Sequence, residues 1–205
     1  MLKQPELEMI DNMRLHQQWL ASLGKAGRQL RLEEVDLSGV DLYQARLSEA
    51  ILPGVKLDGA HLSEADLYSA NLASASMTGA DLAGANLAKA NLDYASLVNA
   101  ILRNAKAFRT SFMHVDMHGA DMAGADLRHA HFEDVNLEHA ILRGANLEGA
   151  SLRNVRVFGA DFHGVKGIGS MHVEAIQVGE ENASARLGGD EFRKWLAATG
   201  QVSRA

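Results

Sequence analysis

Gly79-Ala80-Asp81-Leu82-Ala83-Gly84-Ala85-Asn86-Leu87 holds one five-residue unit and most of the next. Each unit has a small residue, a polar one, a leucine and then two small or polar residues. Followed outward from Leu82, the unit recurs without insertion or deletion in 26 successive copies centred from Leu37 to Phe162. The centres are 18 Leu, 3 Met, 3 Phe, 1 Val and 1 Ala, and the position two residues earlier holds 19 Ala, 6 Val and 1 Thr. A period of five fits neither an amphipathic helix nor a plain strand. It fits a chain that turns a right angle every five residues. Each side then points one large and one small residue inward and exposes three. Four units close a square coil of about 20 residues, and coils stack at strand spacing, about 4.8 Å. On that spacing the repeats make about 6.5 coils and a rod about 30 Å long. Gly stands two residues after the centre in 11 of the 26 units, as expected where a corner needs positive φ.

These runs resemble the A(D/N)LXX signature of pentapeptide-repeat proteins, over about 130 of the 205 residues. The resemblance implies an all-β solenoid, a right-handed quadrilateral β-helix with N- and C-terminal capping helices. The expected divisions are an N-terminal helical cap over residues 1–30, the β-helix over 31–166, and a C-terminal strand and helix, cap or dimerisation segment, over 167–205.

Composition agrees with a narrow, repetitive interior: hydrophobic residues make up 47% and charged residues 22%, yet aromatics only 5%. With no cysteine, disulfides, a thiolate nucleophile and Cys-ligated metal are excluded. Met1-Leu2-Lys3-Gln4-Pro5-Glu6 leads into an acidic helix rather than an apolar stretch, so no secretory signal is read and the expected location is the cytoplasm. No run of 18 apolar residues occurs, so no transmembrane helix is expected.

A stacked coil has open edges that need covers. Pro5 suits the first turn of a helix that carries Leu7, Ile10, Met13 and Leu20 on one face and stops near Gly24. The passage His16-Gln17-Gln18-Trp19-Leu20, followed by Gly24 and Gly27, resembles a lead-in of bacterial members of the family, with Trp19 read as a core plug. After Val165 the pattern collapses, and Val173–Val178 reads as a short strand. Asp190 is the expected N-cap of a last helix that Gly200 ends. Its stripe of Phe192, Trp195 and Leu196 serves either as a cap on the coil end or as a dimer contact.

One coil departs from the pattern, with Ala107 at a centre, Phe108 outside it and Thr110 at the next small site. Phe112 and Phe132 are placed to fill the missing volume. The other reading is a kink, or an exposed patch around Phe108 used for a partner. On the Leu42 face, Asp41, Asp81, Asp121 and Asp161 form an acidic column with Glu64 beside it. Those carboxylates either satisfy the turn backbone or make an anionic groove imitating a nucleic-acid backbone. From Val35 to Asn99 there are 8 acids and 3 bases, and from Ala100 to Val165 there are 8 acids and 7 bases. Arg103, Lys106 and Arg109 lie near the irregular coil, too few for an extended nucleic-acid patch. His114, His118, His129, His131 and His139 spread over three faces, only His129 and His131 sharing a corner, so no metal site is expected.

No catalytic, cofactor or metal motif stands out, and a rod offers no concave pocket. The expectation is a non-catalytic binding protein. The resemblance implies, for some members, protection of DNA gyrase or topoisomerase IV against inhibitors by DNA mimicry, as dimers joined through C-terminal helices. The alternative is a scaffold for an unidentified protein partner. Direct nucleic-acid binding is not expected on either.

Overall fold

Each five-residue unit closes on itself and then pairs with the coils before and after it. At Leu82 the N–H donates to the Ile101 carbonyl (2.7 Å), Ile101 N–H donates back to Ala80 (2.9 Å), and Gly84 N–H donates to Arg103 (2.8 Å). Ala85 N–H donates to the Leu82 carbonyl (3.0 Å) and turns the corner. The residue in the left-handed region of that corner need not be glycine: Glu64, Ser74, Lys89, Tyr94 and Asn104 all hold φ between 56° and 63°. The structure is a computed structural model and describes residues 4–179 and 185–199, with side chains from residue 11.

Parallel bridges run from Arg31↔Ile51 to Asn146↔Lys166, each joining residues 20 apart, as in Asp41↔His61 and Asp81↔Ile101. The architecture is the right-handed quadrilateral β-helix. The ladder begins one unit before Leu37, at Leu32, where buried Leu30 occupies the usual small site. Inside, the Leu and Ala columns are sealed from water from Leu47 onward, Leu62, Leu72, Leu82 and Leu92 each 0% exposed, while Leu32, Leu37 and Ala45 at the first coils are only partly buried.

The irregular coil is regular in its backbone. Bridges Asn86↔Lys106 and Lys106↔Asp126 continue the register, so there is no kink. Phe112 and Phe132 stack inside with centroids 5.0 Å apart, and both are buried, as is Ala107. Thr110 is buried too, its hydroxyl donating to the Leu87 carbonyl (2.8 Å). A buried hydroxyl paired in this way avoids the cost of an orphaned polar group.

The Leu52 face becomes formal strand late in the rod, as β1 (Ser111–Met113), β2 (His131–Glu133) and β3 (Ser151–Arg156). Beyond it the coil does not end where the five-residue pattern does. β4 (His172–Val178) pairs parallel with β3, Ser151↔His172 and Arg156↔Gln177, a step of 21 residues in place of 20. The extra residue is taken up in the 3-10 turn Ile168–Ser170. Ile176 and Val178 are thereby buried as a further layer of core. β5 (Ala185–Leu187) returns antiparallel to β4.

Two helices cover the ends. The C-terminal helix α2 (Gly189–Ala198) starts one residue before the expected cap. Gly188 is the N-cap, and the Glu191 carboxylate accepts its N–H (2.9 Å). Asp190 instead pairs with Arg193 (2.8 Å). Gly200 lies outside the described residues. Phe192 and Leu196 are fully buried, Phe192 meeting Phe162 edge to face at 5.7 Å. Arg193 donates to the carbonyls of Ile168 (3.2 Å) and Met171 (3.1 Å) and ties the helix down. At the other end the N-terminal helix α1 (Gln4–Ala21) sets Met13 against the core and buries His16. The plug is therefore Met13 with His16, not Trp19. One turn further along, Trp19 stacks on the His16 ring at 5.9 Å and stays half-buried. The side chains of Leu7 and Ile10 lie outside the described set.

Candidate interaction surfaces

The β-helix interior is apolar except for Thr110, so its chemistry lies outside, in columns that repeat every coil. On the Leu42 face the column runs Asp41, His61, Asp81, Ile101, Asp121, Ile141, Asp161, as the bridges dictate. Each aspartate accepts the backbone N–H two residues on: Asp41 from Tyr43 (3.0 Å), Asp81 from Ala83 (3.0 Å), Asp121 from Ala123 (3.1 Å), Asp161 from His163 (3.0 Å). This is the local turn bonding that short carboxylates favour. The further oxygens are also engaged. Ser63 donates to Asp81 (3.0 Å), Arg103 to Asp121 (2.6 Å), and Arg143 and His163 to Asp161. Burial pushes the Asp161 carboxyl up, but the His163 and Arg143 bonds outweigh it and hold it below the usual range. Of the acids here Asp41 and Glu64 are exposed, and Glu64 accepts from the Gln44 amide (2.8 Å). The column is thus half neutralised, and its apolar members Ile101 and Ile141 alternate with the acids.

The Leu47 face differs. Lys89 Nζ donates to the Tyr68 hydroxyl (2.6 Å) and lies 5.1 Å from that ring's centre, an attraction of cation for π-face. One coil on, half-buried Phe108 has the guanidinium carbons of Arg109 and Arg128 at 5.1 and 5.8 Å from its ring centre, and the His129 ring edge-on at 5.6 Å. Arg128 grips Asp126 with two nitrogens, both at 2.7 Å. That fork, the strong geometry for Arg and carboxylate, holds the Asp126 carboxyl below its ordinary pKa. Arg103, placed near this coil by sequence, stands on the Leu42 face and is spent on Asp121.

Four of the five histidines from His114 to His139, all but His131, join ring contacts rather than converge. His114 stacks on Tyr94 (4.8 Å), and His118, His139 and Phe158 meet in turn at 5.3 and 5.4 Å. His118 and His139 are therefore neighbours one coil apart, contrary to the expectation that only His129 and His131 share a corner. Among the described residues no group of three His, Asp or Glu could hold a metal ion. No helix among them is long and apolar enough to cross a membrane.

At the C-terminal end Trp195 stacks on Phe192 (5.8 Å) and lines a cavity of about 700 Å³ with Phe158, Val178 and Leu187. Of the three dimer candidates, Phe192 and Leu196 are consumed inside the cap, and Trp195 alone keeps accessible surface.

A profile of pentapeptide repeats, in 8 copies, matches residues 31–67, 65–104, 102–134 and 130–166. Among solved structures, a pentapeptide repeat protein of the Arabidopsis thaliana thylakoid lumen is 34% identical over 49% of this chain and 70% of its own, with a TM-score of 0.48. HetL, a pentapeptide repeat protein involved in heterocyst differentiation regulation in the cyanobacterium Nostoc sp. strain PCC 7120, is 30% identical over 72% of this chain and 77% of its own, with a TM-score of 0.50. QnrB1, a plasmid-mediated fluoroquinolone resistance protein, is 14% identical over 74% of this chain and 95% of its own, with a TM-score of 0.46. No curated protein sequence matches the chain.

Proposed function

This chain belongs to the pentapeptide repeat family, and we propose that it is a non-catalytic binding protein, a rigid scaffold whose outer faces engage a protein partner. One observation carries the reading: the coil interior is filled with apolar side chains, so the faces are where its polar chemistry sits. Proteins of the family are generally non-enzymatic structural or binding proteins. Chemical crosslinking of the tagged chain in its own cells, followed by mass spectrometry, tests this. A discrete adduct with another protein is expected, and recovery of the chain without one contradicts the proposal.

A second reading, protection of DNA gyrase or topoisomerase IV by DNA mimicry, draws on the acid surplus between Val35 and Asn99 and on exposed Asp41 and Glu64. Against it stands the arginine pairing of Asp121 and Asp161, which removes half of the column from display. Gyrase supercoiling with a fluoroquinolone present separates the two. Protection that is lost when Asp41 and Glu64 are made Asn and Gln supports mimicry, and no protection supports the scaffold. A homodimer through the C-terminal helix belongs to the mimicry reading. It would rest on Trp195, and light scattering of Trp195→Ala against the parent checks it.

A further inference from the structure

The Leu47 face carries cations that the rest of the molecule does not neutralise. Lys106 lies in backbone register with Asp126 on the next coil, but the Arg128 fork occupies both oxygens of that carboxylate. Among the described residues, no carboxylate lies within ion-pairing distance of Lys106 or Arg109, and the Arg109 guanidinium lies over the Phe108 ring. Both are exposed. They flank an aromatic ring at the one coil where the repeat places Ala inside and Phe outside. Phe112 and Phe132 stack in the interior of neighbouring coils, whereas Phe108 points outward and keeps accessible surface.

We infer that this corner, Lys106, Phe108, Arg109 and His129, is a docking surface for an acidic linear segment of a partner protein. Carboxylates of the segment pair with Lys106 and Arg109, and an apolar side chain lies against Phe108. Charge complementarity selects this occupant, since a net charge of −6 on the chain makes an unpaired basic corner locally distinctive. A polyphosphate is disfavoured. The two cations stand on one coil, with Asp126 across from Lys106 on the next, whereas nucleic-acid binders neutralise many phosphates along a patch. The inference rests on the binding-scaffold reading above.

Fluorescence anisotropy with a labelled peptide of repeated Glu-Glu-Leu triplets tests it, using the full chain and NaCl from about 50 to about 300 mM. Binding should weaken steeply with salt. Lys106→Glu with Arg109→Glu should reduce affinity about tenfold or more, and Phe108→Ser several-fold. Arg103→Glu, on the neighbouring face, should leave it unchanged. Equal thermal midpoints would show that these variants fold. Absence of binding at low salt, or an equal loss with Arg103→Glu, overturns the proposal. Tighter binding of labelled duplex DNA than of the peptide overturns it in favour of nucleic acid. A salt-sensitive dimer in sedimentation, lost in the double variant, overturns a foreign partner in favour of a second copy. Failure of the peptide assay beside a persistent crosslinked adduct in cells would sink this corner alone and leave the scaffold reading standing.

Discussion

Gly167 turns the corner that admits the last coil, at φ 78°, with the Glu148 backbone so close that an added Cβ would lie 2.3 Å from its nitrogen. Gly167→Ala should therefore cost about 3 kcal/mol, read by urea unfolding. Ser74 is the opposite case. It is exposed, holds φ 59°, and has no neighbour demanding its side chain. Ser74→Gly should stabilise by up to about 1 kcal/mol, the left-handed penalty of a β-carbon less the freedom glycine gains when unfolded. His16 makes the fold pH-dependent. Its Nδ1 accepts the Leu30 N–H (3.0 Å), which only a ring unprotonated at that atom can do. Its Nε2 lacks a well-formed hydrogen bond. Burial holds its pKa below 6.5, partly offset by the Ser48 carbonyl and Glu49. The unfolded chain thus binds this proton first. The His16 contribution is intact above about pH 6.5 and falls as pH drops below it, until the lowered folded value is reached. Unfolding free energy between about pH 8 and 5 should fall less in His16→Gln than in the parent. Equal slopes would contradict this.

At the scale of elements, α2 and β4 form the C-terminal lid. Phe192→Ala opens space against Phe162 and should cost about 3–4 kcal/mol, with hydrogen exchange rising first in β4. The rungs of the β-helix were legible in the sequence because their Leu and Ala columns answer one constraint, a square interior. The lid was less so. The 21-residue step to β4 hid a coil that five-residue arithmetic could not see, although Val173, Ile176 and Val178 do sit where a shifted register puts them. The N-terminal plug differs from the expected Trp19 because helical spacing alone does not say which turn meets the coil end, and there His16 is buried while Trp19 stays half-buried. The aspartates of the Leu42 face were legible as a column, but their capture by Arg103 and Arg143 depends on side chains from the preceding coil, 18 residues away.

For the whole molecule, each coil touches only its neighbours, so stability is close to a sum of coil and interface terms. Changes confined to the outer faces should leave that sum almost unaltered, which lets binding be separated from folding. On this proposal the rod acts by presenting one face to its partner, the face bearing Phe108. Thr78, Ala83, Ala88 and Ala73 mark the four sides at one level of the rod, with Ala88 on the Leu47 face one coil before Phe108. A photocrosslinking residue placed at each in turn, in living cells, reads the contact directly. A discrete protein adduct is expected from position 88, and weak or no adducts from 73, 78 and 83. An adduct confined to another face, or none from any, would contradict the proposal.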